Sequence, residues 1–201
     1  PEPRQMPPVG WQDAALHHFR SEKLQSWLVI GNDLPVIPVE EKAAFDVMNY
    51  IMGAYHLNTR MMRETRYKFG YTNDASAFAE PHWFGPGSYT WRSYSRPEVI
   101  ENINENMMGE LVRIRLEEVS DHELFVAIGA LADGVFPIQY LDGYALTRSF
   151  ALERLQYGNH ARSATYVDRV RAVTKEDVLS AARKYLPVEN MQTVLVGEES
   201  F

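Results

Sequence analysis

The sequence predicts an α+β fold, an antiparallel sheet packed against several helices. Apolar residues recur at three- and four-residue steps over several long stretches, which is the helical period, while shorter stretches alternate between two faces as strands do. The two kinds of stretch follow one another without regular alternation, which argues against a doubly wound parallel sheet. At 201 residues the chain is long enough to bury most of its apolar surface in one core.

Taken in order, the opening Pro-Glu-Pro-Arg-Gln-Met-Pro-Pro is linker-like, and Pro1 stands where an initiator methionine would. Residues 1–14 are therefore expected to link a domain over residues 15–201 to another upstream. Strand-like material runs from Ala15 to Ile30, with Gln25, Trp27 and Val29 facing opposite to Ser26, Leu28 and Ile30. Pro35 and Pro38 follow it. A helix is predicted from about Glu40 to Tyr55, where Phe45, Met48, Met52 and Tyr55 form one stripe and Gly53 weakens the last turn.

A short basic helix is predicted from about Thr59 to Lys68, with Gly70 placed to stop it in a left-handed conformation. Strands over Tyr71 to about Ala79 and about Ser88 to Ser95 flank a turn marked by Pro81 and Gly85-Pro86-Gly87. Pro97 opens a helix to about Leu116 that carries Val99, Ile103, Met107, Leu111 and Ile114 on one side. Ser120-x-x-Glu123 is a capping box, and Leu124, Ile128, Leu131 and Val135 continue the apolar stripe until Pro137 interrupts it. A further helix covers about Asp142 to Tyr157 and ends at Gly158-Asn159. Thr174-x-x-Asp177 starts the last helix, with Val178, Ala182 and Tyr185, before a closing strand over Met191 to Val196.

Composition excludes several classes. The apolar content of 45% and charged content of 23% are those of an ordinary globular domain. A net charge of −7 argues against nucleic acid, since phosphate binding needs a basic face. With no cysteine there are no disulfides and no thiolate metal sites. No apolar run reaches the ~18 residues needed to span a membrane.

The chain has no Gly-x-Ser-x-Gly elbow and no phosphate-binding Gly-x-x-x-x-Gly-Lys, and a turn explains Gly85-Pro86-Gly87-Ser88. His17, His18, His56, His82, His122 and His160 are scattered, without the four-residue helical spacing and adjacent glutamate of a zinc peptidase. His122-Glu123, in the first turn of a helix, reads as an exposed, solvated pair. No metal site is expected in this chain. The remaining constellation runs from Asn58 to Asn73: Arg66 falls in the last turn of the basic helix, Gly70 reverses the chain, and Tyr71 and Asn73 share a strand face. An arginine beside hydrogen-bonding side chains is a grip for a peptide carbonyl or carboxylate. A solvated basic helix is the other reading, and spacing alone favours it.

The segments Asn49-Tyr50-Ile51-Met52-Gly53, Thr59-Arg60-Met61-Met62 and Arg66-x-x-x-Gly70-Tyr71-Thr72 resemble the C-terminal domain of the pitrilysin/insulinase family of zinc metallopeptidases. Arg96-Pro97-Glu98, Ser120-x-x-Glu123-Leu124, Val173 to Val178 and Val194-x-Val196-Gly197 extend the resemblance, in family order, over most of the chain. It implies one half of a clamshell whose zinc lies in an N-terminal domain or partner subunit, while the zinc-free half contributes an Arg/Tyr pair that binds the substrate backbone. Arg66 matches the arginine; Asn73 occupies the tyrosine position. Asparagine is shorter and does not reach as far, so three readings stay open: Tyr71 substitutes, another subunit supplies the pair, or the parent protein has lost activity.

The resemblance thus implies the substrate-binding, metal-free domain of a zinc metalloendopeptidase, inactive alone, with Arg66, Tyr71 and Asn73 as substrate-binding residues. Its partners would be the N-terminal zinc domain, a peptide paired with a sheet edge, and another subunit of a homo- or heterodimer. A non-catalytic peptide-binding or scaffolding subunit is the alternative reading, and Asn73 counts for it. A small-molecule enzyme lacks any supporting motif. Bacterial relatives of this compact type are often exported, which makes the periplasm or cell envelope the expected compartment.

Overall fold

The computed structural model describes residues 9–54, 57–80 and 85–198. Among these, five strands form one sheet: β1 (Ala15–Arg20), β2 (Ser26–Leu34), β3 (Ala75–Glu80), β4 (Gly87–Ser95) and β5 (Gln192–Gly197). Their spatial order is β1-β5-β2-β4-β3. The β5–β2, β2–β4 and β4–β3 pairs are antiparallel, whereas β1 and β5 run parallel. The architecture is the expected α+β one, with a parallel pair added at one edge.

The helices are α1 (Lys42–Met52), α2 (Arg60–Met62), α3 (Ile100–Leu116), α4 (Asp121–Gly129), α5 (Phe136–Ile138), α6 (Gly143–Tyr157), α7 (Ala161–Arg171) and α8 (Lys175–Tyr185). The stripes read from the sequence are the buried ones: Phe45, Met48 and Met52 on α1, and Ile103, Met107, Leu111 and Ile114 on α3. Both helices lie against the sheet, and α8 packs on both. On the sheet, Leu28, Ile30, Tyr89, Trp91 and Leu195 point into this core. Aromatic rings fill its centre, with Phe45 5.2 Å from Tyr89 and 5.4 Å from Tyr185. The buried Tyr89 hydroxyl donates to Asn49 Oδ1 at 2.8 Å, so a polar group in the apolar layer has its partner.

The other sheet face is open. Strand alternation puts Trp27 and Val29 there, as expected, and Trp27 stays 51% exposed.

Four local features differ from the sequence reading. Ala15 to Ile30 is two strands, not one: after β1 the chain turns over residues 21–25 and returns as β2 on the far side of β5. No glycine or proline marks this turn, so the period of two appeared continuous. The helix begun by α4 passes through a π-helical stretch, Ala130–Val135, that a period of 3.6 does not announce, into α5, and ends at Ile138, one residue past the Pro137 expected to interrupt it. Helix α7 was not anticipated at all; it buries Tyr166 and Val170, and the Tyr166 hydroxyl donates to Asp46 Oδ2 at 2.7 Å. Residues 71–74 precede β3 instead of belonging to it. Tyr55, His56, Pro81, His82 and the first eight residues lie outside the described residues.

Candidate functional site

The site grows from the end of α2. Thr59 caps that helix, its hydroxyl accepting from Met62 N at 3.2 Å. From Arg63 to Tyr67 the backbone widens into a π turn, a device frequent at functional positions. Thr65 settles the widened stretch by donating its hydroxyl to Met61 O at 2.6 Å, and Asn106 of α3 donates to Glu64 O at 3.3 Å. Gly70 takes the left-handed conformation anticipated for it, with φ of 65°. Gly70 N donates to Arg66 O at 2.8 Å and Tyr71 N to Thr65 O at 2.9 Å. This is a two-bond closure of the Schellman kind, one residue wider because it follows a π turn.

The segment after Gly70 is fastened to β4 by hydroxyl groups. Thr72 Oγ1 donates to Tyr94 O at 2.7 Å, Ser93 Oγ donates to Asp74 O at 2.8 Å, and Ser95 Oγ donates to Tyr71 O. Side chains do here what a backbone ladder would do, which is why the strand begins only at Ala75.

The structure brings Arg66 and Asn73 together. Arg66 Nη1 donates to the Asn73 carbonyl at 3.2 Å on the exposed surface. The guanidinium also lies 5.7 Å from the Tyr67 ring centroid. The Asn73 carbonyl, not its side chain, accepts from the arginine, and the side chain is exposed. Tyr71 does not share a strand face with Asn73; its ring stacks on Phe69 at 5.1 Å and 8°. Tyr67 and Phe69 are both about half exposed, and the second ring carries the Lys68 ammonium 5.0 Å from its centroid.

The start of the same helical segment carries an ion network that sequence reasoning missed. Arg60, only 3% exposed, donates through Nε to Glu123 Oε1 at 2.8 Å and through Nη2 to Oε2 at 3.0 Å. Its Nη1 is 3.8 Å from Glu110 Oε2, and neither atom has a hydrogen-bond partner among the described residues. Arg63 reaches Glu123 at 3.5 Å, and Arg113 reaches Glu110 at 2.9 Å. Burial disfavours the Glu123 carboxylate, but hydrogen bonds from Arg60 and Ser120 outweigh it and bring its pKa down to about 2. At Glu110 burial prevails over Arg113 and Arg60 and pushes the carboxyl up. Glu123 is therefore no solvated partner of His122. A usable signal lay in Arg60 itself, a cation set between a helix cap and two fully apolar methionines.

The edge of β3 is not free for a peptide strand along its whole length. Ala77 N donates to Gly53 O at 3.0 Å, and Ala75 N to Met62 Sδ at 3.2 Å. The end of α1 and α2 thus occupy two outward N–H groups of that edge.

Among the described residues no three His, Asp or Glu side chains are grouped to hold a metal. His17 contacts Gln192 at 3.1 Å, His18 contacts Gly197 O at 3.1 Å, and His160 sits 3.9 Å from Glu153 at the start of α7.

No protein-family model matches the sequence, and no curated protein does either. Solved structures match closely in fold. The peptidase M16 inactive domain from Pseudomonas fluorescens superposes with a TM-score of 0.88 at 19% identity, over 98% of this chain and 47% of that one. A protease from Helicobacter pylori gives 0.80 at 14% identity, over 95% of this chain and 45% of that one. The periplasmic protease PqqL from Escherichia coli gives 0.71 at 17% identity, over 93% of this chain and 21% of that one. The chain therefore has the fold of the M16 peptidase domains, in agreement with the C-terminal pitrilysin-type domain that the sequence resembles. It spans about half the length of the first two of these proteins and about a fifth of the third.

Proposed function

We propose that this chain is the peptide-holding, non-catalytic half of a peptidase-like protein whose zinc centre is carried by a companion domain or subunit. The observation that carries this reading is the placement of Arg66. Its guanidinium has five N–H donors, and one hydrogen bond, to Asn73, orients it at the surface. The remaining donors suit the carbonyl of an extended peptide or a terminal carboxylate. The π turn, the Gly70 reversal and the hydroxyl-fastened segment fix both ends of that contact. The fold neighbours support the same assignment, since one of them is described as an inactive peptidase domain.

The reading is tested by a peptidase assay on the full-length protein that carries this domain, with and without a zinc chelator, beside the domain alone. Chelator-sensitive cleavage is expected from the full protein and none from the domain. Arg66→Ala is expected to raise KM for peptide by roughly tenfold, the cost of one charge-assisted contact. A second reading, a peptide-binding or scaffolding subunit without catalysis, is favoured by Asn73 standing where the family has tyrosine. An inert full-length protein that still binds peptide through Arg66 would select it.

A further inference from the structure

A cavity of about 490 Å³ opens between α6 and the start of α7, within the roughly 300–1,000 Å³ range of small-molecule sites. It shares no residue with the Arg66 grip. Two arginines line it, Arg148 of α6 and Arg162 of α7, and neither has a carboxylate partner among the described residues. Arg162 is held in place without one, its guanidinium lying 4.7 Å from the Tyr166 ring centroid and 5.7 Å from that of Phe136. Glu153 of α6 lines the same cavity and is only 4% exposed. Its Oε1 accepts from Ser163 N at 2.7 Å. Its Oε2 lies 3.9 Å from His160 Nδ1 and accepts no hydrogen bond among the described residues. Opposite charges thus share one cavity without pairing across it. Leu152 and the Tyr144 ring add an apolar stretch of wall.

We propose that this cavity binds a free amino acid with an apolar side chain, its carboxylate on Arg162 and Arg148 and its ammonium on Glu153. The inference stands apart from the peptide-holding reading. Two cations against one carboxylate leave an excess of positive charge in the wall, and a guanidinium fork matches a carboxylate in shape as well as charge. A simple anion would bring its charge up to the buried Glu153 carboxylate. A simple cation would meet the two arginines. A zwitterion avoids both conflicts, and its ammonium supplies the donor that Glu153 Oε2 lacks. Leu152 and Tyr144 are then left for an apolar side chain, which a ring satisfies best.

The experiment is calorimetric titration of the full-length protein with L-phenylalanine, with phenylpropanoate, which lacks the ammonium, and with phenylethylamine, which lacks the carboxylate. L-phenylalanine is expected to bind roughly tenfold tighter than either analogue, because each analogue loses one charge-assisted contact. Arg162→Gln should weaken L-phenylalanine and phenylpropanoate by about tenfold and leave phenylethylamine unchanged. Glu153→Gln should weaken L-phenylalanine and phenylethylamine and leave phenylpropanoate no weaker than before. A merely structural role for either residue would move all three ligands alike, and that result overturns the proposal. Glutamine can still accept from Ser163 N, and melting checks that the start of α7 has kept its fold. Should Glu153→Gln fail to fold, Arg148→Gln at an exposed position takes its place, with the same selective loss of the two acids expected. Phenylpropanoate binding as tightly as L-phenylalanine would make the cavity a simple anion site and overturn the assignment of Glu153. Absence of L-phenylalanine binding to the unaltered protein would overturn the whole.

Discussion

Arg60 and Glu123, 63 residues apart in sequence, meet as a bidentate ion pair at the start of the helical segment that leads to Arg66. The pair ties α2 to the first turn of α4. Glu123 serves twice, since its Oε2 also accepts from Ser120 N at 2.9 Å to complete a capping box. Removing one partner strands a buried charge. Arg60→Ala is expected to cost about 3 kcal/mol, and Arg60→Met with Glu123→Leu less than half of that, because a well-packed apolar pair replaces the ions. Thermal melting of the three proteins checks this, with a fall of roughly 10 °C expected for the single variant.

Acid should undo the same pair. The folded-state pKa of Glu123 is about 2 against an ordinary 4.5. A depressed carboxyl contributes its stability above the ordinary value and loses it as pH falls through the folded one. That contribution is on the order of 3 kcal/mol, lost between about pH 5 and pH 2. Glu110 works in the opposite sense. Burial raises its pKa, so its ionised form costs stability at neutral pH and the cost disappears on protonation. Glu110→Gln is therefore expected to be more stable than the unaltered protein at neutral pH and no more stable once the pH lies below the ordinary carboxylate range. Urea midpoints across pH give both results; a Glu110→Gln variant that is less stable at neutral pH would refute the second.

What the sequence revealed and concealed follows physical lines. Apolar periodicity on α1, α3 and α8 was legible because each buries one stripe. Helix α6 was legible from its termini, since Asp142 caps it and Gly158 closes it in the left-handed conformation. Helix α7 was hidden because it has no side-chain cap and a polar composition. The β1–β2 reversal lacked a turn signal, and the π turns cannot be read from a period of 3.6. At the site, Arg66 and Gly70 were readable from position in the helix. The contact to the Asn73 carbonyl was not, because backbone carbonyls leave no trace in residue identity. Glu123 was misread for the same reason as any long-range partner: local position gave it one role, and Arg60 supplied the other.

Gly53 needs its missing side chain. A Cβ there would lie 2.9 Å from both Ala77 Cβ and Ala77 N, where the end of α1 presses on β3. The Gly53 carbonyl also accepts from Ala77 N at 3.0 Å, so neither strand nor helix end can withdraw without losing that bond. Gly53→Ala is expected to cost about 2 kcal/mol through overpacking, although alanine is the better helix former. Melting gives the cost, and faster amide exchange at Ala77 would locate it at this contact.

Gly70 makes a different demand, one of backbone and not of space. Nothing lies within 4 Å of the position a Cβ would take, but its φ of 65° is one that alanine adopts only with strain. Gly70→Ala is expected to cost about 1 kcal/mol, lowering the melting temperature by roughly 3 °C. Peptide binding should suffer as well, because the turn at Gly70 sets the distance between Arg66 and the Asn73 carbonyl. Gly70→Asn separates the two effects, since asparagine tolerates the left-handed region. It should restore both melting temperature and peptide affinity most of the way. If Gly70→Ala lowered the melting temperature but left peptide affinity intact, the turn would matter for folding alone and Arg66 would not depend on it for its position.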